Sequence, residues 1–217
     1  MALVLYAHPF SSYCQKVLIG LYENATPFTY RHMEEPGAGE ELEALWPMKR
    51  FPLLVDDGEA VIESPVILEH LDIFHPGPTP LIPKDAHQAQ EARFMDRFFD
   101  IYVHTPVQKV VGDKLRPEEA RDPFGVEEAK ANLDKAYGWL EQRLSGRAWA
   151  AGDALGLADC AAAPALFYAD WVHRIGPQYP GVLAYRAKLL AQPSVARAVD
   201  EARPYRHYFP LGAPDRD

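Results

Sequence analysis

Cysteine is scarce: only Cys14 and Cys160 occur in 217 residues, far apart in the chain. Two such residues exclude a disulfide framework and a cysteine-based zinc cluster, and they fit a reducing, cytoplasmic setting. No apolar run approaches the length needed to cross a bilayer, and Met1-Ala2-Leu3-Val4-Leu5-Tyr6 lacks the basic flank and long apolar stretch of a signal peptide. Basic clusters are missing too. With 22 Lys+Arg against 31 Asp+Glu the formal net charge is -9, which repels nucleic acid and anionic membranes. A small anionic ligand is still permitted, because one lysine and a helix N-terminus bind a carboxylate locally. No internal repeat is found. What is present is apolar material, 48% of residues, enough for one large domain or two small ones.

The apolar pattern changes character halfway along. Leu3 to Ala7 is a short apolar run stopped by His8-Pro9, and Ser11 to about Glu23 carries Val17, Leu18, Leu21 and Tyr22 at helical spacing. Phe28 to Met33 alternates as a half-buried strand does, so strand, helix and strand form a parallel pair with a right-handed crossover. Glu34 to Glu40 reads as a loop and Glu41 to Trp46 as a short helix. Phe51 to Val55 and Ala60 to Ile62 form an antiparallel hairpin turning at Asp56-Asp57-Gly58. Ser64-Pro65 opens a helix to about Phe74, with Ser64 at the N-cap and Pro65 at the first position. His75-Pro76-Gly77-Pro78-Thr79-Pro80 is the densest proline cluster and marks a linker. Beyond it, Ala86 to about Val111, Val126 to Leu144, Asp159 to Trp171, Gly181 to Leu190 and Ser194 to Ala202 all show helical spacing. The expected architecture is an α/β domain, βαβαββα with a mixed sheet, over residues 1–76, a linker over 77–84, and an all-helical domain over 85–217. Pro204-Tyr205-Arg206-His207-Tyr208-Phe209-Pro210 forms an aromatic tail that either packs over a cleft or is disordered.

Three places carry candidate chemistry. Ser11-Ser12-Tyr13-Cys14 follows the first strand, where a helix begins with free N–H groups and a positive dipole end that stabilise an anion. Ser11 or Ser12 equally serves as a plain N-cap, Cys14 as a small buried hydrophobe, and Tyr6 and Tyr13 as packing aromatics. Pro52 enters a strand, where the isomer of Phe51-Pro52 stays open; a cis bond exposes the N–H and C=O of Phe51 to an extended peptide. Glu63-Ser64 offers an acceptor pair for an ammonium and a hydroxyl beside helix N–H groups for a carboxylate, the two charges of an amino-acid head group, or else only a helix cap.

Taken in order, these features resemble the soluble glutathione transferase family over nearly the entire chain. By that resemblance the first domain is thioredoxin-like. Leu45-Trp46-Pro47-Met48-Lys49-Arg50-Phe51-Pro52 is similar to the segment before the cis-proline of zeta-type and related serine-class members. Gly152-Asp153-Ala154-Leu155-Gly156-Leu157-Ala158-Asp159 resembles the folding motif of the helical domain, with Gly156 where a hydroxyl residue caps the helix, so only the Asp159 half of a reciprocal box is available. The resemblance implies glutathione as co-substrate, no metal, a small electrophile as second substrate, and a homodimer. It implies Ser11 as the donor to the thiolate, with Ser12 beside it and Cys14 at the second position of a CxxC-type site. Phe51 and Pro52 would pair with the cysteinyl backbone, Glu63 and Ser64 hold the γ-glutamyl end, and Lys49, with Arg50 as rival, meets the glycine carboxylate. Phe98, Tyr102, Phe167 and Trp171 are expected at the electrophile site, with the aromatic tail as a lid. Ser-Ser-Tyr-Cys-Gln-Lys has the single cation Lys16 where zeta-type isomerases carry arginines, so maleylacetoacetate isomerisation is not expected. Two other readings stay open: a glutathione-dependent oxidoreductase using Cys14, and a non-catalytic binding module of the same architecture.

Overall fold

A computed structural model describes residues 3–217. Met1 and Ala2, which belong to the N-terminal stretch judged against a signal peptide, lie outside the described residues. Strand β1 (Leu3–Ala7) buries Leu3, Leu5 and Ala7 and turns Val4 and Tyr6 toward its other face, the alternation expected of a strand covered unequally on its two sides. It pairs parallel with β2 (Thr29–His32) and antiparallel with β3 (Leu53–Asp56), which pairs antiparallel with β4 (Glu59–Ile62). The mixed sheet therefore runs β2-β1-β3-β4. Asp57 at φ 47 and Gly58 at φ 91 close the β3–β4 hairpin, the two left-handed residues that a two-residue type I′ turn demands.

Helix α1 (Ser12–Glu23) crosses from β1 to β2 and is buried almost all round from Cys14 to Leu21, because it packs on α3 and also on helices of the second half. Gly20 is needed at one of these contacts: a Cβ there would meet Leu68 Cδ2 at 2.5 Å. The loop expected at residues 34–40 ends early, since Gly37 at φ 82 turns the chain into α2 (Ala38–Leu45). Helix α3 (Ser64–Phe74) also begins differently from expectation. Glu63 is its N-cap, the Glu63 carbonyl takes the Ile67 N–H at 2.9 Å, and Ser64 occupies the first helical position. Its hydroxyl is released from capping.

Residues 75–85 hold no regular element but are pinned. Asn24 exchanges two hydrogen bonds with the backbone of Thr79, and the Leu81 N–H donates to Asp72 Oδ1 at 2.7 Å. The helical half comprises α4 (Ala86–Phe98), a π-helical turn (Phe99–His104), α5 (Thr105–Lys114), α6 (Pro123–Arg143), α7 (Leu157–Val172), α8 (Pro180–Ala191) and α9 (Pro193–Ala202). The single helix expected from Ala86 to Val111 is thus continuous but interrupted in register by the π turn. Alanine-rich α7 is buried from Leu157 to Trp171 and forms the centre of the core, touching α1, α4, α5 and α8. Lys16 of α1 is sealed into this junction and pairs with Asp96 at 2.6 Å and Asp100 at 2.8 Å. A buried lysine is tolerated only with such partners.

Candidate active site

A cleft of about 830 Å³ opens between the two halves. One wall comes from the α/β half: Ser11 and Ser12 at the start of α1, Lys49 to Pro52 ahead of β3, and Glu63 and Ser64 ahead of α3. These eight expected residues are brought together although 53 positions separate Ser11 from Ser64. The Phe51–Pro52 peptide bond is cis. Lys49 and Glu63 both take positive φ, at 52 and 75, unusual for residues with a Cβ and common where a backbone is shaped for a ligand.

Ser11 caps α1: its Oγ accepts the Cys14 N–H at 3.4 Å, which leaves the Ser11 O–H as a donor at a positive helix end. Ser12 differs. Its Oγ lies 2.7 Å from Nε2 of His104, a buried histidine in the π turn, and Gln108 Nε2 lies 3.0 Å from the same ring nitrogen. Ser12 is thereby tied to the helical half. His104 Nδ1 is buried without a partner, and burial lowers the His104 pKa from 6.5 to about 4, so the ring is neutral at physiological pH. Tyr13 stands edge-on to it at 4.7 Å, its phenol pushed up to about 12 mainly by burial.

The other chemically suggestive residues of the first half are turned away. Cys14 is fully buried, and burial raises its thiol to about 12 against the smaller opposing pull of the Ser11 side chain and the His8 N–H. Tyr6 donates to Glu41 at 3.0 Å and does not line the cleft. Lys49 Nζ sits 2.7 Å from Glu43, whereas Arg50 makes no ion pair among the described residues.

None of the four aromatics expected from the helical half lines the cleft. Phe98 stacks on Trp139 at 4.4 Å, Tyr102 is exposed, and Phe167 and Trp171 are buried against each other at 4.7 Å. The reason is which helix face meets the cleft: Arg97, Ile101, His104, Thr105 and Gln108 share that side at helical spacing, and on α7 the lining residue is Tyr168. Tyr168 OH donates to the Phe10 carbonyl at 2.8 Å and holds the turn before Ser11. The aromatic tail is ordered: Phe209 packs on Trp171 at 5.2 Å, Tyr208 donates to Glu34 at 2.7 Å, and Tyr208 to Pro210 border the cleft. His104 had a faint sequence signal, a polar residue inside an apolar window just before Thr105-Pro106, but its partner Ser12 is 92 positions away.

Residues 5–79 match the family description "Glutathione S-transferase, N-terminal domain", and residues 123–188 match "Glutathione S-transferase, C-terminal domain". Glutathione S-transferase U25 of Arabidopsis thaliana is 24% identical over 206 residues, 92% of this chain and 90% of the relative. Among solved structures, a glutathione S-transferase of Methylobacterium radiotolerans in complex with glutathione sulfonate has 26% identity and a TM-score of 0.79, covering 92% of this chain and 95% of its own. One from Methylobacillus flagellatus with glutathione bound has 24% identity and a TM-score of 0.81, covering 91% and 98%; at that identity it speaks for the fold. No helix among the described residues is long and apolar enough to cross a membrane. With both halves of the fold matched in order, the chain belongs to the glutathione S-transferase family.

Proposed function

We infer that this chain is a glutathione transferase that lowers the pKa of the glutathione thiol and directs the thiolate at a small electrophile. The observation that carries this reading is the meeting, in one cleft, of the α1 N-cap serine, the cis Phe51–Pro52 edge and the Glu63-Ser64 start of α3. A tripeptide with a carboxylate and an ammonium at one end and a carboxylate at the other fits such a wall. Glu63 takes the ammonium, Ser64 and the first N–H groups of α3 take the α-carboxylate, and the Phe51 backbone pairs with the cysteinyl unit. Arg50 is the better partner for the glycine carboxylate, because Lys49 already faces Glu43.

The sulfur then lies at the start of α1. Ser11 donates its O–H to the thiolate while the helix end adds its positive potential; Ser12 is held by His104. Lowering a thiol pKa by ~2 units takes about 2.7 kcal/mol of preferential thiolate stabilisation, within reach of one charge-assisted hydrogen bond and a helix terminus. The released proton goes to solvent through the open cleft. Ile101, Thr105, Gln108 and Val111 face the sulfur from the helical half and form the electrophile pocket, with Tyr208 to Pro210 as its cover. The division of labour follows residues 1–76 for glutathione and 85–217 for the electrophile, joined through 77–84. A serine-type donor rests on Ser11 alone, and the plant and bacterial relatives named above carry no zeta designation. Exposed Val66 and Ile73 on α3 and Phe94 on α4 favour a homodimer.

The expected result for Ser11→Ala is a turnover loss of about 100-fold with glutathione affinity by calorimetry nearly unchanged. Full activity in that variant moves the role to Ser12, whose own alanine variant then shows the loss.

A further inference from the structure

Asp56, His70 and His75 form a second polar cluster, separate from the cleft. Asp56 ends β3, His70 lies two turns into α3, and His75 caps the C-terminus of α3. Their donor atoms converge: Asp56 Oδ2 is 2.8 Å from His70 Nε2 and 2.7 Å from His75 Nε2, and all three ligand atoms lie within 4.8 Å of one another. Asp56 Oδ1 is buried with no hydrogen-bond partner, so the carboxylate keeps an acceptor that no protein donor uses.

Both Asp56 contacts are hydrogen bonds from the rings to the carboxylate, and a comparison inside the same molecule shows what distinguishes them. His8, His32 and Glu34 also converge, but there His8 Nδ1 accepts the Phe10 N–H at 3.2 Å and His32 Nδ1 accepts the Glu34 N–H at 3.1 Å. An imidazole whose Nδ1 accepts carries its proton on Nε2, so neither Nε2 has a lone pair for a metal. Those protons go to Glu34 and to the Tyr205 hydroxyl instead. No backbone N–H occupies Nδ1 of His70 or His75 among the described residues, so each ring, which donates its Nε2–H to Asp56 Oδ2, is able to move its proton to Nδ1 and present Nε2 when a cation displaces it.

We propose that Asp56, His70 and His75 bind a borderline divalent transition-metal cation of the zinc type. Two imidazole nitrogens and one carboxylate suit zinc, cobalt or nickel, whereas magnesium and calcium call for oxygen donors. Tetrahedral zinc holds its donors about 3.3 Å apart at bond lengths of about 2.0–2.1 Å, so each ring moves outward by only about half an ångström. Solvent completes the coordination, because the three side chains are between 14% and 20% exposed. The ion joins the end of the β3–β4 hairpin to the far end of α3, the two elements on either side of Glu63-Ser64. Its role is to staple the glutathione-binding half. Two cysteines in the chain had argued against a metal, but this donor set is spread from residue 56 to 75 and carries no short-range spacing signature.

The test uses the tag-free full chain, stripped by a chelator and titrated with zinc chloride, with cobalt(II) as the optical probe. Expected are one calorimetric equivalent, a thermal midpoint that climbs with zinc concentration, and visible d–d absorption with cobalt. His75→Gln and Asp56→Asn each weaken zinc binding by at least about tenfold, while His32→Gln leaves it unchanged. Should Asp56→Asn unfold, the His70→Gln and His75→Gln variants decide the matter. An absence of one-equivalent binding, or binding that survives in the His70→Gln, His75→Gln double variant, overturns the proposal.

Discussion

Ser11 and Ser12 are neighbours in sequence with opposite fates. Ser11 spends only its acceptor side, on the Cys14 N–H, whereas Ser12 is engaged by His104. The buried neutral His104 makes a pH prediction. Its folded pKa is about 4 against an ordinary 6.5, so between those values the unfolded chain binds a proton that the folded chain refuses. Folding stability from this group is complete above pH 6.5 and falls by about 3 kcal/mol as the pH drops to near 4. Urea titrations across that range should show the slope in the native chain and its loss in His104→Gln. Cys14, with a thiol near 12, is expected to resist iodoacetamide at neutral pH until the chain is unfolded; rapid native-state labelling restores the oxidoreductase reading. The cleft-lining residues proposed to hold glutathione were legible because each sits at a local signal, a helix start or a proline. His104 was not, since burial and a contact 92 residues distant give it its meaning, and the aromatics fell on other faces because helical spacing does not say which apolar face packs and which meets a cleft.

Elements were easier to read than their ends. The parallel β1–β2 pair, the β3–β4 hairpin and the helices of the second half follow from periodicity and from glycine and proline breaks. Where ends shifted, a backbone feature decided: Gly37 at φ 82 opened α2 early, and the Glu63 carbonyl took the first bond of α3. The start of α7 gives the sharpest case. Asp159, buried and with its carboxyl pushed up by that burial, accepts the N–H groups of Gly156 and Ala150 at 3.0 Å each and the Tyr185 hydroxyl. Sequence alone suggests that Gly156→Ser restores the missing cap and adds about 1 kcal/mol. The structure predicts the opposite, because a Cβ at Gly156 would stand 2.8 Å from the Leu81 carbonyl, which also receives the Leu157 N–H at 2.8 Å. Gly156→Ser should destabilise the fold by about 1–3 kcal/mol, read as a lower denaturation midpoint. A stabilised variant would mean the linker moves aside freely.

At the scale of the whole molecule, the two halves share one core and one cleft. Lys16, Asp96 and Asp100 lock α1 to α4 and the π turn, Tyr168 and Gln15 hold the His8-Pro9-Phe10 turn, and the tail spans back from α9 to Glu34. Ser11 is therefore presented at a fixed height above a pocket built by the other half, which is what activating a thiol beside an electrophile requires. The thiolate absorbance of bound glutathione, titrated by ultraviolet difference spectroscopy in the native chain and in Ser11→Ala, measures that claim directly. The expected outcome is a bound thiol titrating about 2 units below free glutathione in the native chain and returning toward the free value in Ser11→Ala. A bound thiol that titrates like free glutathione, or a depressed value that survives the loss of the Ser11 hydroxyl, would contradict it.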